Sequence, residues 1–159
     1  MKIGFDLDSK YVACALDTEG CVSLGYQTKI KGCSLKNPYR VKFQPHNHIV
    51  NTHKGWLEEI QRFFNLGVLT KKSRVLLNRK DIFILSFGPN DCRKILPQLI
   101  PFLIIKRKQA ELLLEFLQLR SRATRNVPYQ PRVKMIQEEI RRLNGRKQVV
   151  DSIEDRLLT

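Results

Sequence analysis

Asp8 to Leu24 reads DSKYVACALDTEGCVSL, and this stretch decides the fold. Asp8 and Ser9 are N-cap residues, and Tyr11 to Thr18 contains neither Gly nor Pro, which predicts a short helix. Val12 and Leu16 lie four apart on one apolar stripe. Ala13, Cys14, Asp17 and Thr18 form a neighbouring stripe of small side chains, which suits close packing against a second helix. Glu19 and Gly20 end the helix, and Cys21 to Leu24 opens an alternating strand. A carboxylate thus sits at the foot of the helix, just before a sheet. Asp17 and Glu19 point about 200° apart on a helix and make no dyad within one chain. If the small stripe packs on its own copy across a two-fold axis, two Glu19 carboxylates approach each other. Like charges so placed require a cation or a shared proton. A plain amphipathic helix with a polar end fits the same pattern.

The 159 residues allow one domain with a substantial core. Lys and Arg number 29 against 15 acidic residues, a net charge of +14, which points to a polyanionic partner. No apolar run reaches membrane-spanning length, and the N-terminal MKIGFD lacks a signal-peptide core. The expectation is an intracellular chain, in the cytoplasm or an organelle, with no membrane partner. Four cysteines without Cys-x-x-Cys spacing read as reduced thiols. His46, His48 and His53 lack a fourth ligand at zinc spacing.

From Cys21 to Lys31 the chain alternates, with Val22 and Leu24 on one face and Ser23, Gly25, Gln27, Lys29 and Lys31 on the other. Tyr39 to Pro45 is a second strand, with Tyr39, Val41 and Phe43 inward and Arg40, Lys42 and Gln44 outward. No acidic residue occurs between Cys21 and Lys54, whereas a merely solvated sheet face mixes both signs. Pro45 to His53 reads as a polar loop. Lys54 to Asn65 reads as a helix with Trp56, Leu57, Ile60, Phe63 and Phe64 on its core face. Val68 to Leu77 and Asp81 to Phe87 form a second hairpin, adding Lys72, Arg74, Asn78 and Lys80 to the basic surface. A third helix runs from Asn90-Asp91 to about Leu96, stopped by Pro97 and Pro101. Pro101 to Ala110 opens a long helix that continues through Leu119. Pro131 to Leu143 is a final helix, closed by Gly145, and Ser152 to Leu158 allows one more turn. The order is αββαββα, an α+β domain with an antiparallel four-stranded sheet, helices on one face and C-terminal helices added. Residues 1–120 make the core, and 121–159 a helical extension of the same domain.

Val12 to Gly20, VACALDTEG, resembles the LAGLIDADG motif of homing endonucleases. Ala13, Asp17 and Gly20 are identical to it, and Glu19 replaces the second Asp. Pro101 to Ala110, PFLIIKRKQA, is similar to a second stretch in single-motif members of that family. There the first Lys lies beside the scissile phosphate, and it corresponds to Lys106. Independently, three cations at a helix start oppose the helix dipole, which argues for a nearby anion.

One copy of the motif implies a homodimer joined through Ala13, Cys14 and Asp17. The resemblance implies a near-palindromic double-stranded DNA site read by two sheets. Ser23, Gln27, Lys29, Lys31, Arg40, Lys42, Gln44, Lys72, Arg74, Asn78 and Lys80 are the candidate DNA contacts. It also implies Mg²⁺-dependent hydrolysis of both strands, leaving 3′ overhangs. Mn²⁺ is an alternative metal, and Ca²⁺ is expected to support binding without cleavage. Glu19 with the Thr18 carbonyl would hold the metal, and Lys106 would stabilise transition-state charge or help deprotonate water. Asn47, Asn51 and Lys54 are candidates for the periphery, after a loop longer than the family's. The alternative is a LAGLIDADG protein without cleavage activity, an RNA maturase or a DNA-binding regulator. An unrelated ribosomal-RNA-binding protein is a more distant alternative. Retention of Glu19 and Lys106 together favours the nuclease.

Overall fold

The computed structural model describes residues 7–27, 42–72, 80–122 and 131–145. Helix α1 spans Ser9–Glu19, and the Asp8 carboxylate caps it by accepting from the Tyr11 amide at 2.7 Å. Val12 and Leu16 are fully buried on its inner stripe. Gly20 turns the chain directly from α1 into the sheet. A Cβ there would lie 2.4 Å from Leu16 Cδ1 and 2.5 Å from the Leu16 carbonyl oxygen, so only glycine fits. Gly20→Ala is therefore expected to cost about 1–3 kcal/mol, the usual range for overpacking. Urea unfolding checks this; an unchanged midpoint would show that the junction relaxes freely.

Strands β1 (Gly20–Gln27) and β2 (Lys42–Asn51) precede α2 (Lys54–Phe64), then come β3 (Val68–Lys72) and β4 (Ile82–Phe87). Helix α3 (Pro89–Leu99), a 3-10 turn (Ile100–Phe102), α4 (Arg107–Arg122) and α5 (Pro131–Leu143) follow. All strand pairs are antiparallel, in the order β1-β2-β4-β3. Val22, Leu24, Ile49, Leu85 and Phe87 project from one face into a core shared with α1, α3 and α4. The αββαββα order and the α+β class are as the hydrophobic pattern predicts. Helix α5 packs on this core through buried Ile136 and Ile140. Asn144 Nδ2 donates to the Val22 carbonyl at 3.0 Å, and Arg132 grips Glu115 with two bonds of 2.7 and 2.8 Å.

Three boundaries differ from the sequence reading. Residues 45–51 are not a loop: β2 runs on to Asn51, because Asn47 to Asn51 find β4 as a second partner. Pro45 sits before that pairing begins, where β2 is bonded to β1 alone and proline is tolerated. Helix α3 passes through Pro97 to Leu99. Interior proline costs about 3 kcal/mol. Burying Ile95, Leu96 and Leu99, each at most 1% exposed and worth about 2 kcal/mol, outweighs it. Helix α4 begins at Arg107 rather than near Pro101, because the amides of residues 104–106 are bound elsewhere. The turn expected at Ser152 to Leu158 lies outside the described residues.

Candidate functional site

The α1–β1 junction brings together two segments far apart in sequence. Asp17, in the last turn of α1, is only 8% exposed. Its carboxylate accepts from the backbone amides of Ile104 (2.7 Å), Ile105 (3.2 Å) and Lys106 (2.9 Å). Lys106 is the cap of α4, since its carbonyl accepts from the Ala110 amide at 2.9 Å. The Lys106 ammonium in turn donates to the Asp17 backbone carbonyl. Among the described residues this uses one of its three protons and leaves two. Lys106 is half-buried and Glu19 exposed, two residues beyond the carbonyl that Lys106 grips. The structure therefore sets the Lys106 ammonium on the main chain one residue before Thr18 and two before Glu19. Thr18 is exposed, and its hydroxyl donates to the Cys14 carbonyl at 2.9 Å.

The anion that the basic turn calls for is supplied by the chain itself. The Asp17 carboxylate lies at the start of α4, where negative charge is favoured. Arg107 is spent on the carbonyls of Leu103 (2.8 Å) and Pro101 (3.0 Å). Lys108 remains exposed.

The three peripheral candidates separate. Gly20 pairs with Ile49, so Asn51 and Lys54 follow at the same end of the sheet as Glu19. There Asn51 Oδ1 accepts from the His53 amide at 2.8 Å, and His53 caps α2 by accepting from the Trp56 amide at 3.1 Å. Lys54 pairs with Glu58 at 2.7 Å. Asn47 does not join them. The strand parity of β2 turns it into the core, 2% exposed, near Cys92, whose thiol burial pushes up to about 11.

The small-residue stripe is divided in the same way. Ala13 is fully buried and Asp17 nearly so, both within their own chain. The face of α1 left to solvent carries Tyr11, Cys14 and Thr18. Beside it stand Ile104 and Ile105, 85% and 67% exposed.

The sheet face opposite the helices carries one row across all four strands: Cys21, His48, Ser86 and Val68. Ser23 pairs with His46 next to it, Gly25 with Gln44, and Thr70 and Lys72 continue the face on β3. Gln44, His46, Thr70 and Lys72 are exposed, as is Lys80 before β4. Gln27 and Lys42 are paired residues at the far end of β1 and β2. Lys29, Lys31, Arg40, Arg74 and Asn78 lie outside the described residues. A Cβ at Gly25 would stand 2.9 Å from His46 Nε2, so the missing side chain makes room for that imidazole. Burial first, and then repulsion from His46, lowers the His48 pKa below its ordinary value. An open cleft of about 450 Å³ adjoins this face, bounded by Gln44, His46, Ser86 and Arg120; neither Glu19 nor Lys106 borders it.

Sequence reasoning missed three features. An acid in the last turn of a helix opposes the dipole, and that misplaced Asp17 is the signal for its bond to residues 104–106. Phe43, Pro45, Asn47 and Ile49 continue a period of two, which places His46 and His48 on the open face. The exposure of Ile104 and Ile105 has no local signal.

As to a metal, among the described residues no three His, Cys, Asp or Glu side chains converge. At the α1–β1 junction, among the described residues, the exposed carboxylate is Glu19, which follows the main-chain carbonyls of Asp17 and Thr18. Hard oxygen donors of this kind suit Mg²⁺, which takes one or two carboxylates and completes its shell with water and phosphate.

No family model and no curated protein sequence matches the chain. Solved structures do match. The homing endonuclease I-CvuI, in complex with a DNA target in the presence of Mg, superposes with a TM-score of 0.64 at 20% identity. That match covers 88% of this chain and 83% of the other. The homing endonuclease I-TnaI gives 0.53 at 22% identity, over 86% of this chain and 100% of its own. I-SmaMI, bound to uncleaved DNA in the presence of calcium ions, gives 0.64 at 18% identity, over 89% of this chain and 50% of its own.

Proposed function

We propose that this chain, which has the fold of the LAGLIDADG homing endonucleases, is a site-specific DNA endonuclease that works as a homodimer. The observation that carries the reading is the bonding of Lys106 to Asp17, two residues before Glu19, at the foot of the motif helix. A protein that only bound nucleic acid would need neither group there. The matched structures include DNA-bound homing endonucleases, and the chain's charge of +14 suits the same polyanion.

Binding begins at the open sheet face. A twisted four-stranded surface enters the major groove, where Gln44 and Lys72 are suited to base edges and phosphates. Lys80 and the remaining strand-end cations add sequence-independent phosphate contacts. Seating the sheet brings the scissile phosphate over the junction that carries Glu19. Glu19 and the Thr18 carbonyl would hold Mg²⁺, which supplies activation of the water nucleophile and neutralisation of the leaving oxygen. Lys106 points its two uncommitted protons at the non-bridging phosphate oxygens, and their charge grows in the transition state. Glu19 carries its own negative charge toward a polyanion, which is unfavourable without a cation. That cost makes the metal part of the site.

One protomer holds one Glu19, so cutting two strands calls for a second copy. The exposed face of α1, with small Cys14 and Thr18 beside the bare Ile104 and Ile105, is the surface that copy covers. Two protomers should be found on each retained duplex by sedimentation, with preference for duplex over single-stranded RNA. Retention of structured RNA with indifference to duplex DNA would transfer the reading to a maturase.

The sheet face also predicts a pH dependence. The chain has three histidines, and His53 is committed to capping α2. His46 and His48 face the DNA among Cys21, Ser23, Gln44 and Ser86, with Arg120 across the cleft. A polyanion favours the protonated form of His48, so affinity rises as pH falls from 8 toward 5.5. Folding is linked the other way, because the lowered His48 pKa removes stability as pH falls below its ordinary value of 6.5. Each protonated imidazole on a phosphate steepens log K against log salt by about 0.9. Changing His48 to Gln should flatten the profile; an unchanged profile would place the DNA elsewhere.

A further inference from the structure

We infer that Asp17 is a positioning residue for Lys106: its buried carboxylate holds the turn that presents the lysine to the scissile phosphate. This rests on the nuclease reading and goes beyond it, since Asp17 touches neither DNA nor metal. Ile104 and Ile105 are mostly exposed, and the 3-10 turn before them ends at Phe102. The Ile104 and Ile105 side chains therefore bury too little to fix the turn at residues 104–106, which follows the fully buried Leu103. What fixes it is one carboxylate accepting three consecutive amides, at 2.7, 3.2 and 2.9 Å. Bonds to an ionised acceptor are about twice as strong as neutral ones. The same residue's carbonyl receives the Lys106 ammonium, so Asp17 controls both ends of that side chain. Asp17 sits two residues before Glu19 on α1. A rigid helix thus carries the carboxylate of the metal site and the clamp for the cation as one body. Displacement of a reacting group by about 1 Å costs on the order of 100-fold in rate.

Asp17→Asn removes the charge and leaves one acceptor for three amides. The expected result is a cleavage rate, under single-turnover conditions, about 100-fold below wild type, with DNA affinity within about threefold. In a Lys106→Met background the same change should cost less than about threefold, because both act through one ammonium. Two independent losses that multiply would overturn the inference and make Asp17 an ordinary structural residue. A second measurement needs no variant. In the wild-type protein the amides of Ile104, Ile105 and Lys106 should resist hydrogen exchange despite the exposure of two of these side chains, and should stay protected in Lys106→Met. Free exchange at all three in wild type would overturn the inference even if Asp17→Asn failed to fold. If Lys106→Met cleaves like wild type while the amides remain protected, the fault lies with the assignment of Lys106 and not with the clamp.

Discussion

Glu19→Gln binds its DNA site within a few-fold of wild type and cuts it at least about 1000-fold more slowly. The change keeps shape and removes one charge from an exposed side chain at the end of α1. An exposed substitution of this kind shifts folding by no more than about 0.5 kcal/mol, so loss of activity will not reflect loss of structure. Affinity should survive because the proposed phosphate contacts come from the sheet face and strand ends, not from this carboxylate. Cleavage does not survive, because a carboxamide is a poor ligand for Mg²⁺ and leaves the water and the leaving oxygen without a counter-charge. A secondary effect has the opposite sign. In the proposed dimer two Glu19 carboxylates would repel each other unless a cation lay between them. The variant dimer should therefore need less divalent metal to bind DNA. Single-turnover cleavage and binding titrations with and without Mg²⁺ check both halves, and Mg²⁺-dependent cutting at the wild-type rate would move the metal site away from Glu19.

Lys106→Met lowers the cleavage rate by about 100-fold or more, the usual loss when one stabilising donor is removed from a developing anion. Methionine keeps most of the stem and removes the cation. The turn itself should persist, since three of the four bonds joining Asp17 to residues 104–106 come from backbone amides. Affinity should fall little, because at most one phosphate contact is lost and the salt slope changes by less than about one. If affinity falls as far as the rate, Lys106 is a phosphate anchor and not a stabiliser of the transition state.

The architecture was legible wherever burial follows a clean period. Val22 and Leu24 on β1, or Leu57 and Ile60 on α2, announce their faces by spacing alone. Legibility ended where tertiary partners override local preference. Pro97 reads as a helix stop, yet α3 continues because the leucines and isoleucine around it are buried. Asn47 reads as a loop residue, yet β4 recruits it into β2. At the candidate site, Glu19 and Lys106 were visible through the motifs that carry them. The bonds that join their segments were not, because a contact between Asp17 and residues 104–106 leaves only an indirect mark on the sequence: an acid at the wrong end of its helix.

The most direct measurement is selection of cleavage sites from a randomised duplex library, run in parallel with Mg²⁺ and with Ca²⁺. The account predicts one long near-palindromic site, bound in both metals and cut on both strands in Mg²⁺ alone, leaving 3′ overhangs. Recovery of a bound site that stays intact in both metals would contradict it, and would leave a LAGLIDADG fold that reads nucleic acid without cutting it.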